Sequence, residues 1–166
     1  MTESWCNWSG SVRCTPQRRE RPTSEAQLAA LLRSAAAQGL GVRVAGRGHS
    51  HSPLVATDGL LLELGALTGI EACDAQAREA TLRGGTQLAE IGPALHERGL
   101  AMENLGDVDV QAIAGAIATG THGTGARLRN LSNQVMGLRL YTAEGDALEC
   151  SEANAPRIFE AARLAL

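Results

Sequence analysis

Apolar residues recur at helical spacing after a polar start signal early in the chain. Ser24 and Gln27 form a capping box in which the Gln27 side chain reaches back to the amide of the N-cap residue. Leucines and Ala35 follow at positions i, i+3, i+4 and i+7, and Gly39 stands where a helix-ending glycine is expected. The pattern predicts a helix between Ser24 and Gly39.

A second helical pattern follows Thr86, which is predicted to be its N-cap. Its apolar face is formed by Leu88, Ile91 and Leu95, and Gly99 is predicted to end it. Pro93 lies inside this pattern, and proline removes a backbone donor and clashes with the preceding turn. We therefore expect a kink or a break near Gly92.

Short runs bounded by turn residues predict the strands, and these runs are largely apolar except for the charged run 18–21. The expected strands are 18–21 (closed by Pro22), 42–45 and 60–64, and hairpins are expected from 70–73 with 77–82 and from 134–141 with 147–150. The runs 42–45 and 60–64 are predicted to be buried and to pair in parallel. Residues 5–15 show no period and are expected to be irregular, and 155–166 are expected to be helical. This order predicts a small α/β lobe over 17–66 followed by an α+β lobe over 67–166.

Composition places the chain among soluble globular proteins and excludes several partners. It has 166 residues, of which 44% are hydrophobic and 20% charged, with a net charge of −3. A net charge of this sign does not indicate a basic surface for nucleic acid. No apolar stretch approaches the roughly 20 residues that span a bilayer. No signal peptide is expected at 1–10. The four cysteines show no C-x-x-C spacing, which favours free thiols and a cytoplasmic location.

The strongest chemical signal is a glycine loop that carries a histidine. Gly46-Arg47-Gly48-His49-Ser50 follows the apolar run 41–45, and such a loop commonly presents backbone N–H groups to a phosphate. A nicotinamide-binding fingerprint would need a third glycine at position 51, which is His51. The ordinary dinucleotide-binding motif is therefore excluded. We refer to residues 46–50 as the histidine loop.

A second glycine cluster lies downstream, over residues 114–125, and is here called the glycine-rich segment. Its glycines suit ordinary turns, but their density favours close approach of the backbone to a ligand. Two such segments suit a doubly charged pyrophosphate. A metal site using His49, His51 and His122 is an alternative, although His-x-His lacks a third ligand at suitable spacing.

Several motifs, taken in order, resemble the flavin-binding domain of the vanillyl-alcohol oxidase / p-cresol methylhydroxylase superfamily, and within it the sugar-lactone oxidases. They are Asn7-Trp8-Ser9-Gly10, Arg21-Pro22, 42–50, Thr57-Asp58-Gly59, Asn104-Leu105-Gly106, 113–125, Thr142-Ala143-Glu144-Gly145 and Cys150-Ser151-Glu152. The resemblance covers nearly the whole chain. It implies an α+β, two-lobed PCMH-type domain over 1–166 with FAD lying between its lobes.

The resemblance also implies which residues hold FAD. They are Val44, Ala45, Gly46, Arg47, Gly48, His49 and Ser50 in the first lobe, and Gly106, Asp107, Ala112, Gly115, Thr119, Gly120, Thr121 and His122 in the second. In such oxidases the histidine at the position of His49 is often bonded to the 8α-methyl carbon of the flavin. That bond needs a neutral imidazole nitrogen as nucleophile. Ala112 occupies a position where relatives often offer a hydroxyl, and His51 is expected to be a bystander.

The implied activity is oxidation of a carbinol in a sugar lactone, of D-arabinono-1,4-lactone or L-gulono-1,4-lactone type, with dioxygen reoxidising the flavin. Alternatives are an alditol oxidase acting on a polyol and a non-catalytic flavin-binding module. Sugar-lactone oxidases continue with the rest of the flavin domain and a substrate domain, so the chain is expected to be C-terminally incomplete. No residue in it is a convincing general base, and no catalytic residue is assigned.

Overall fold

A computed structural model describes residues 3–164, which form two compact units. The first unit runs to Leu67 and includes Arg139–Glu149; the second comprises Thr68–Leu138 and the residues from Cys150 onward. The division expected from the sequence at 66/67 places residues 139–149 with the second lobe, whereas in the structure they cluster with the first.

The first unit is built around a three-stranded parallel sheet and one long helix. Its elements are β1 (Trp5–Cys6), β2 (Arg13–Cys14), β3 (Arg18–Glu20), α1 (Glu25–Ala37), β4 (Val42–Ala45) and β5 (Leu60–Glu63). The strand order is β3-β5-β4, with Leu60 opposite both Arg18 and Val42. The predicted parallel pairing is therefore confirmed.

Burial within this sheet differs from the prediction. Central strand β5 is fully buried at Leu60, Leu61 and Leu62, because it has a neighbour on each side. Strand β4 lies at the edge, and its Val44 remains 49% exposed. The prediction that 42–45 is buried was wrong for all but Ala45, since a run of apolar residues does not reveal whether its strand is central.

Helix α1 begins as the capping box predicts, with one change. The Ser24 side chain accepts a hydrogen bond from the amide of Gln27 at 3.2 Å. The Gln27 side chain, however, accepts from the amide of Thr23 at 2.8 Å, one residue before the N-cap. Gly39 follows the helix with φ of +64°, the left-handed conformation that glycine adopts without strain.

The expectation that residues 5–15 are irregular was wrong. Strands β1 and β2 pair antiparallel, and Trp5 and Val12 are buried against Ala45 and Leu61. Two-residue strands are too short to show an alternating pattern in sequence. A second cluster packs α1 on the other buried residues of the sheet; its members are Leu28, Leu32, Ala35, Leu60, Leu62 and Leu67.

A hairpin of β8 (Gly137–Tyr141) and β9 (Ala147–Ser151) follows much later in the chain, as predicted, although its first strand begins at Gly137 rather than Gln134. Its Arg139 binds Glu149 at 2.7 Å and Glu25 at 2.8 Å. These two hydrogen-bonded carboxylates raise the pKa of the Arg139 guanidinium above its ordinary value. Tyr141 also donates to Glu25, at 2.6 Å, so hairpin and α1 are joined within the first unit.

Among its described residues, the second unit contains a hairpin and three α-helices. Its elements are β6 (Ile70–Asp74), β7 (Glu79–Leu82), α2 (Leu88–His96), α3 (Ile113–Ala118) and α4 (Pro156–Arg163). Strands β6 and β7 pair antiparallel, which confirms the predicted hairpin, and the turn lies between Asp74 and Glu79. The predicted helix at 155–166 is observed as α4, while residues 165 and 166 lie outside the described part.

Helix α2 buries Leu88, Ile91 and Leu95, as its pattern predicts. Its N-cap is Gln87, so the prediction that Thr86 caps it was wrong. Thr86 is buried, and its hydroxyl instead donates to the carbonyl of Arg83 at 2.6 Å and accepts from the amide of Gly69 at 2.9 Å. The helix does not break at Gly92 but continues through Pro93 to His96.

Helix α3 covers the first part of the glycine-rich segment, for which the sequence analysis predicted no helix. Its first two amides, of Ile113 and Ala114, donate to the carbonyls of Thr86 and Gly84 at 2.8 and 3.1 Å. Together with α2 it forms the core of this unit, whose buried members are Leu88, Ile91, Leu95, Ala116 and Leu131. In residues 3–164, no helix has the length and apolar character needed to cross a membrane.

Candidate functional site

The histidine loop leaves β4 at its buried end. Ala45 is 1% exposed and anchors the loop, while Gly46 and Arg47 are exposed and His49 and Ser50 are half-buried. Gly48 adopts φ of +71°, where glycine is favoured. A Cβ at Gly48 would also lie 3.3 Å from both Asn7 Cα and Trp5 Cζ2, so the loop approaches β1 closely.

The backbone donors of this loop are not used by the protein. Within residues 3–164, the amides of Gly46–Ser50 donate to no protein acceptor. Successive free amides in a loop with a left-handed glycine form a concave donor surface that suits an anion. Binding of an anion by these amides stays a prediction.

Residues just after β1 hold both sides of His49. The amide of Trp8 donates to the carbonyl of Gly48 at 3.1 Å, and the Asn7 side chain donates to the carbonyl of Ser50 at 3.0 Å. Asn7 is 2% exposed and also accepts from the amide of Val12 at 3.0 Å. The backbone on either side of His49 is thus fixed by a dipeptide some forty positions away.

The imidazole of His49 stacks on the indole of Trp8. Their ring centroids are 5.4 Å apart with an interplanar angle of 11°. Such pairs contribute about 0.5–1.5 kcal/mol beyond their area burial. No hydrogen bond to either ring nitrogen of His49 is present among the described residues, so the stack is its main side-chain restraint.

His51 has a different environment. It is exposed, its Nδ1 lies 3.4 Å from the Ser9 hydroxyl and 3.5 Å from that of Ser11, and it meets the edge of Trp8. Among residues 3–164, no three His, Cys, Asp or Glu side chains converge in a way that could hold a metal ion. The metal-binding alternative therefore has no structural support.

The second predicted set of residues lies in the second unit, around α3. Ala112 is the N-cap of α3 and is 6% exposed, and it provides no side-chain cap. Gly115 is helical and exposed, with no atom within 4 Å of the space a Cβ would occupy. Thr119 ends the helix, and Gly120 follows with φ of +65°.

Thr121 brings several of these residues together. Its hydroxyl accepts from the Gln111 side chain at 3.0 Å. A Cβ placed at Gly106 would lie 2.7 Å from the methyl carbon of Thr121, so the two residues are in close contact. The Nδ1 of His122 lies 3.0 Å from the carbonyl oxygen of Gly123, which can only accept, so this nitrogen carries the hydrogen. Asp107 is exposed.

Two features near these residues were not assigned as site residues from the sequence. Asn104 is 8% exposed and donates to the carbonyl of Arg129 at 2.6 Å, and a Cβ at Gly123 would overlap the Leu105 carbonyl. In the first unit, Asn7 and Trp8 hold the histidine loop by hydrogen bonds and were likewise not assigned as site residues. Both asparagines belong to motifs that carry the resemblance, but only the long-range contacts reveal what they hold.

Comparison with known proteins identifies the family. The family model described as "FAD binding domain" matches residues 16–151. L-gulono-1,4-lactone dehydrogenase of Mycobacterium tuberculosis is 44% identical over 154 residues, which cover 93% of this chain and 36% of that protein. L-gulonolactone oxidase of Bos taurus is 38% identical over 96% of this chain and 36% of its own length. D-arabinono-1,4-lactone oxidase of Kluyveromyces lactis is 31% identical over 96% and 31%.

Solved structures agree in fold. 6-Hydroxy-D-nicotine oxidase of Arthrobacter nicotinovorans superposes with a TM-score of 0.80 at 23% identity, over 98% of this chain and 38% of that one. Chitooligosaccharide oxidase gives 0.78 at 20% identity, over 90% and 33%. The α+β, PCMH-type fold expected from the resemblance is thus confirmed, and the chain spans about a third of the length of its curated relatives. This chain belongs to the FAD-binding domain family, and its sequence relatives are sugar-lactone oxidases and dehydrogenases.

Proposed function

We propose that this chain is the FAD-binding part of a flavin-dependent oxidoreductase that oxidises a carbinol of a sugar lactone. The substrate class would be of L-gulono-1,4-lactone or D-arabinono-1,4-lactone type. The observation that carries the proposal is the 44% identity to a lactone dehydrogenase across 93% of this chain. The names of the other relatives point to the same class of substrate.

The chemistry of the histidine loop fits FAD. The pyrophosphate of FAD is an anion that needs several donors, and the free amides of Gly46–Ser50 are donors without protein partners in residues 3–164. Val44 and Ala45 would position this loop from the end of β4. In the second unit, Gly106, Asp107, Ala112, Gly115 and Thr119–His122 are proposed as the second contact group.

FAD would supply the redox chemistry by accepting a hydride from the carbinol carbon, and dioxygen would then reoxidise it. This chain's residues would bind the cofactor, orient it and exclude water from it. No group in the chain is proposed to take the proton of the carbinol. Because the relatives include both oxidases and a dehydrogenase, dioxygen as the acceptor is a specific part of this proposal.

We further propose that His49 bonds covalently to FAD. A ring nitrogen of His49 would bond to the 8α-methyl carbon, with loss of the N–H hydrogen and of one C–H hydrogen. Dioxygen would take up these two hydrogens and their electrons as hydrogen peroxide, which balances the step. The half-buried imidazole, free of hydrogen bonds within residues 3–164, suits a nucleophile.

The test is denaturation of the FAD-loaded chain in acid, followed by a visible spectrum of the pellet and an intact mass. We expect a yellow pellet and a mass increase of one FAD less two hydrogens. A colourless pellet from a chain that had bound FAD would contradict the covalent bond but leave FAD binding in place. A chain that takes up no FAD under native conditions would contradict the cofactor assignment itself.

Alditol oxidation and cofactor binding without catalysis are the competing functions. The FAD-loaded chain should be assayed for peroxide production with both lactones and with alditols. Peroxide from lactones alone would support the proposal. Preference for alditols would favour the first alternative, and no turnover with loaded FAD would favour the second.

The four cysteines are free thiols, including buried Cys150, and reducing compartments favour this state. We therefore propose a cytoplasmic location, which cell fractionation tests. Recovery of the protein outside the cytoplasmic fraction would contradict it.

A further inference from the structure

The contacts around His49 include a ring stack with Trp8, a residue outside the proposed cofactor-binding set. The imidazole is half-buried and, within residues 3–164, makes no hydrogen bond. Its backbone is nevertheless fixed on both sides, because the amide of Trp8 holds the Gly48 carbonyl and the Asn7 side chain holds the Ser50 carbonyl. The remaining freedom of His49 is therefore rotation of its side chain.

Trp8 removes that freedom. Its indole lies nearly parallel to the imidazole, at 11° and 5.4 Å between centroids, so it sets the plane of the His49 ring. The amide of Trp8 donates to the carbonyl of Gly48, so the backbone that carries the indole stays beside the loop. Yet Trp8 is 63% exposed, which means that burial in the core does not explain its size.

We infer that Trp8 is a positioning residue that orients the His49 imidazole for covalent attachment to FAD. This inference rests on the proposed function. The step is the one balanced above: the His49 nitrogen bonds to the methyl carbon, and dioxygen takes up the two hydrogens released. Orienting a nucleophile before reaction commonly changes rates by orders of magnitude, and small misplacement is costly.

The experiment measures the rate at which the full chain acquires covalent flavin. Apoprotein is mixed with FAD in air, samples are denatured in acid at intervals, and the modified fraction is measured by intact mass. Trp8→Leu keeps an apolar side chain but removes the aromatic ring, and Trp8→Phe keeps a ring that can stack. Leu54→Ala is the matched control. Leu54 is also large and 45% exposed in the first unit, but it has no aromatic ring that could stack on His49.

We expect Trp8→Leu to slow covalent attachment by about tenfold or more, with Trp8→Phe restoring most of the rate and Leu54→Ala unchanged. Reversible FAD binding, measured before attachment by quenching of flavin fluorescence, should change little in all three variants. That readout separates positioning from misfolding, because a misfolded chain loses reversible binding as well.

Three results would overturn the inference. Equal attachment rates in wild type and Trp8→Leu would show that the stack does not orient His49, while leaving the covalent proposal intact. Absence of covalent flavin in the wild-type chain that binds FAD would overturn the covalent proposal, and the inference with it. Loss of rate in Trp8→Phe equal to that in Trp8→Leu would also contradict an orienting role for the aromatic ring.

Discussion

The histidine loop and the glycine-rich segment look alike in sequence but differ in how their amides are bonded. In the histidine loop, the amides of Gly46–Ser50 have no protein acceptor within residues 3–164. In the glycine-rich segment, the amides of Thr119, Gly120 and Thr121 all donate to carbonyls of α3. Gly123 is required there because a Cβ would overlap the Leu105 carbonyl. Leaving amides free for a ligand and permitting close packing of the backbone are thus two separate purposes of glycine, and Gly48, which also lies close to β1, shows that one loop can combine them.

This difference teaches that glycine density alone does not identify a ligand contact. The space around each glycine and the bonds of its amide decide between the two purposes. Gly115, in open space on α3, is the glycine of the second region that the protein's own packing does not require. The four predictions that follow test the contrast, starting with the largest effect.

His49→Ala should abolish covalent flavin completely, since it removes the proposed nucleophile, while leaving most of the free amides of the loop. The measurement is intact mass after acid denaturation, with reversible FAD binding measured in parallel. His96→Ala is the control, because His96 is exposed at the end of α2 and should retain full attachment. Covalent flavin in His49→Ala would show that another residue carries the bond.

Gly123→Ala should destabilise the chain by about 3 kcal/mol, because the new methyl group meets a backbone carbonyl that cannot move aside freely. Chemical denaturation of the full chain measures this loss. The same substitution should reduce FAD affinity only as far as it unfolds the protein. A stable Gly123→Ala chain with lost FAD binding would instead assign Gly123 to the ligand.

FAD at a hundredfold excess over its Kd should stabilise the chain by about 2.7 kcal/mol if it binds only the native state. Amide hydrogen exchange should slow most in the histidine loop, where the donors have no protein acceptor, and less at Thr119–Thr121, whose amides are already bonded. Equal thermal stability with and without FAD would count against the cofactor assignment. Uniform slowing in both regions would remove the proposed contrast.

Gly115→Ala should produce the smallest effect, a gain of about 0.5–1 kcal/mol in stability, because alanine favours a helix and the added methyl group has open space. Thermal melts in the absence of FAD measure the gain. FAD affinity of the same variant then decides what the glycine is for. A fall in affinity together with higher stability would indicate close approach of FAD to α3, whereas unchanged affinity would remove Gly115 from the proposed set.

Local patterns predicted much of the fold. Helix α1, its Ser24 cap and the buried face of α2 depend on neighbours three or four residues away, so they are visible in sequence. The prediction that Thr86 caps α2 was wrong because its side chain is used in a contact with a distant residue. Its hydroxyl bonds to Gly69, seventeen positions away, and no local pattern shows that competition.

The candidate site divides in the same way. The histidine loop was found because its glycines and His49 are adjacent in the chain, whereas the contacts that hold it come from Asn7 and Trp8. The exposed edge position of β4 could not be predicted either, because strand order depends on pairing between distant segments. The site residues in both units remain a prediction that the variants above test.

Resemblance to a known family predicted the flavin-binding fold, and the sequence by itself determined where the main helix begins and which loop carries the histidine. These properties depend on residue types and short spacings, which a sequence displays directly. Only the tertiary structure decided which amides are left free, which glycines serve packing and which ring stacks on His49. Each of those depends on what another part of the chain brings within bonding distance, and that follows from the folded packing as a whole.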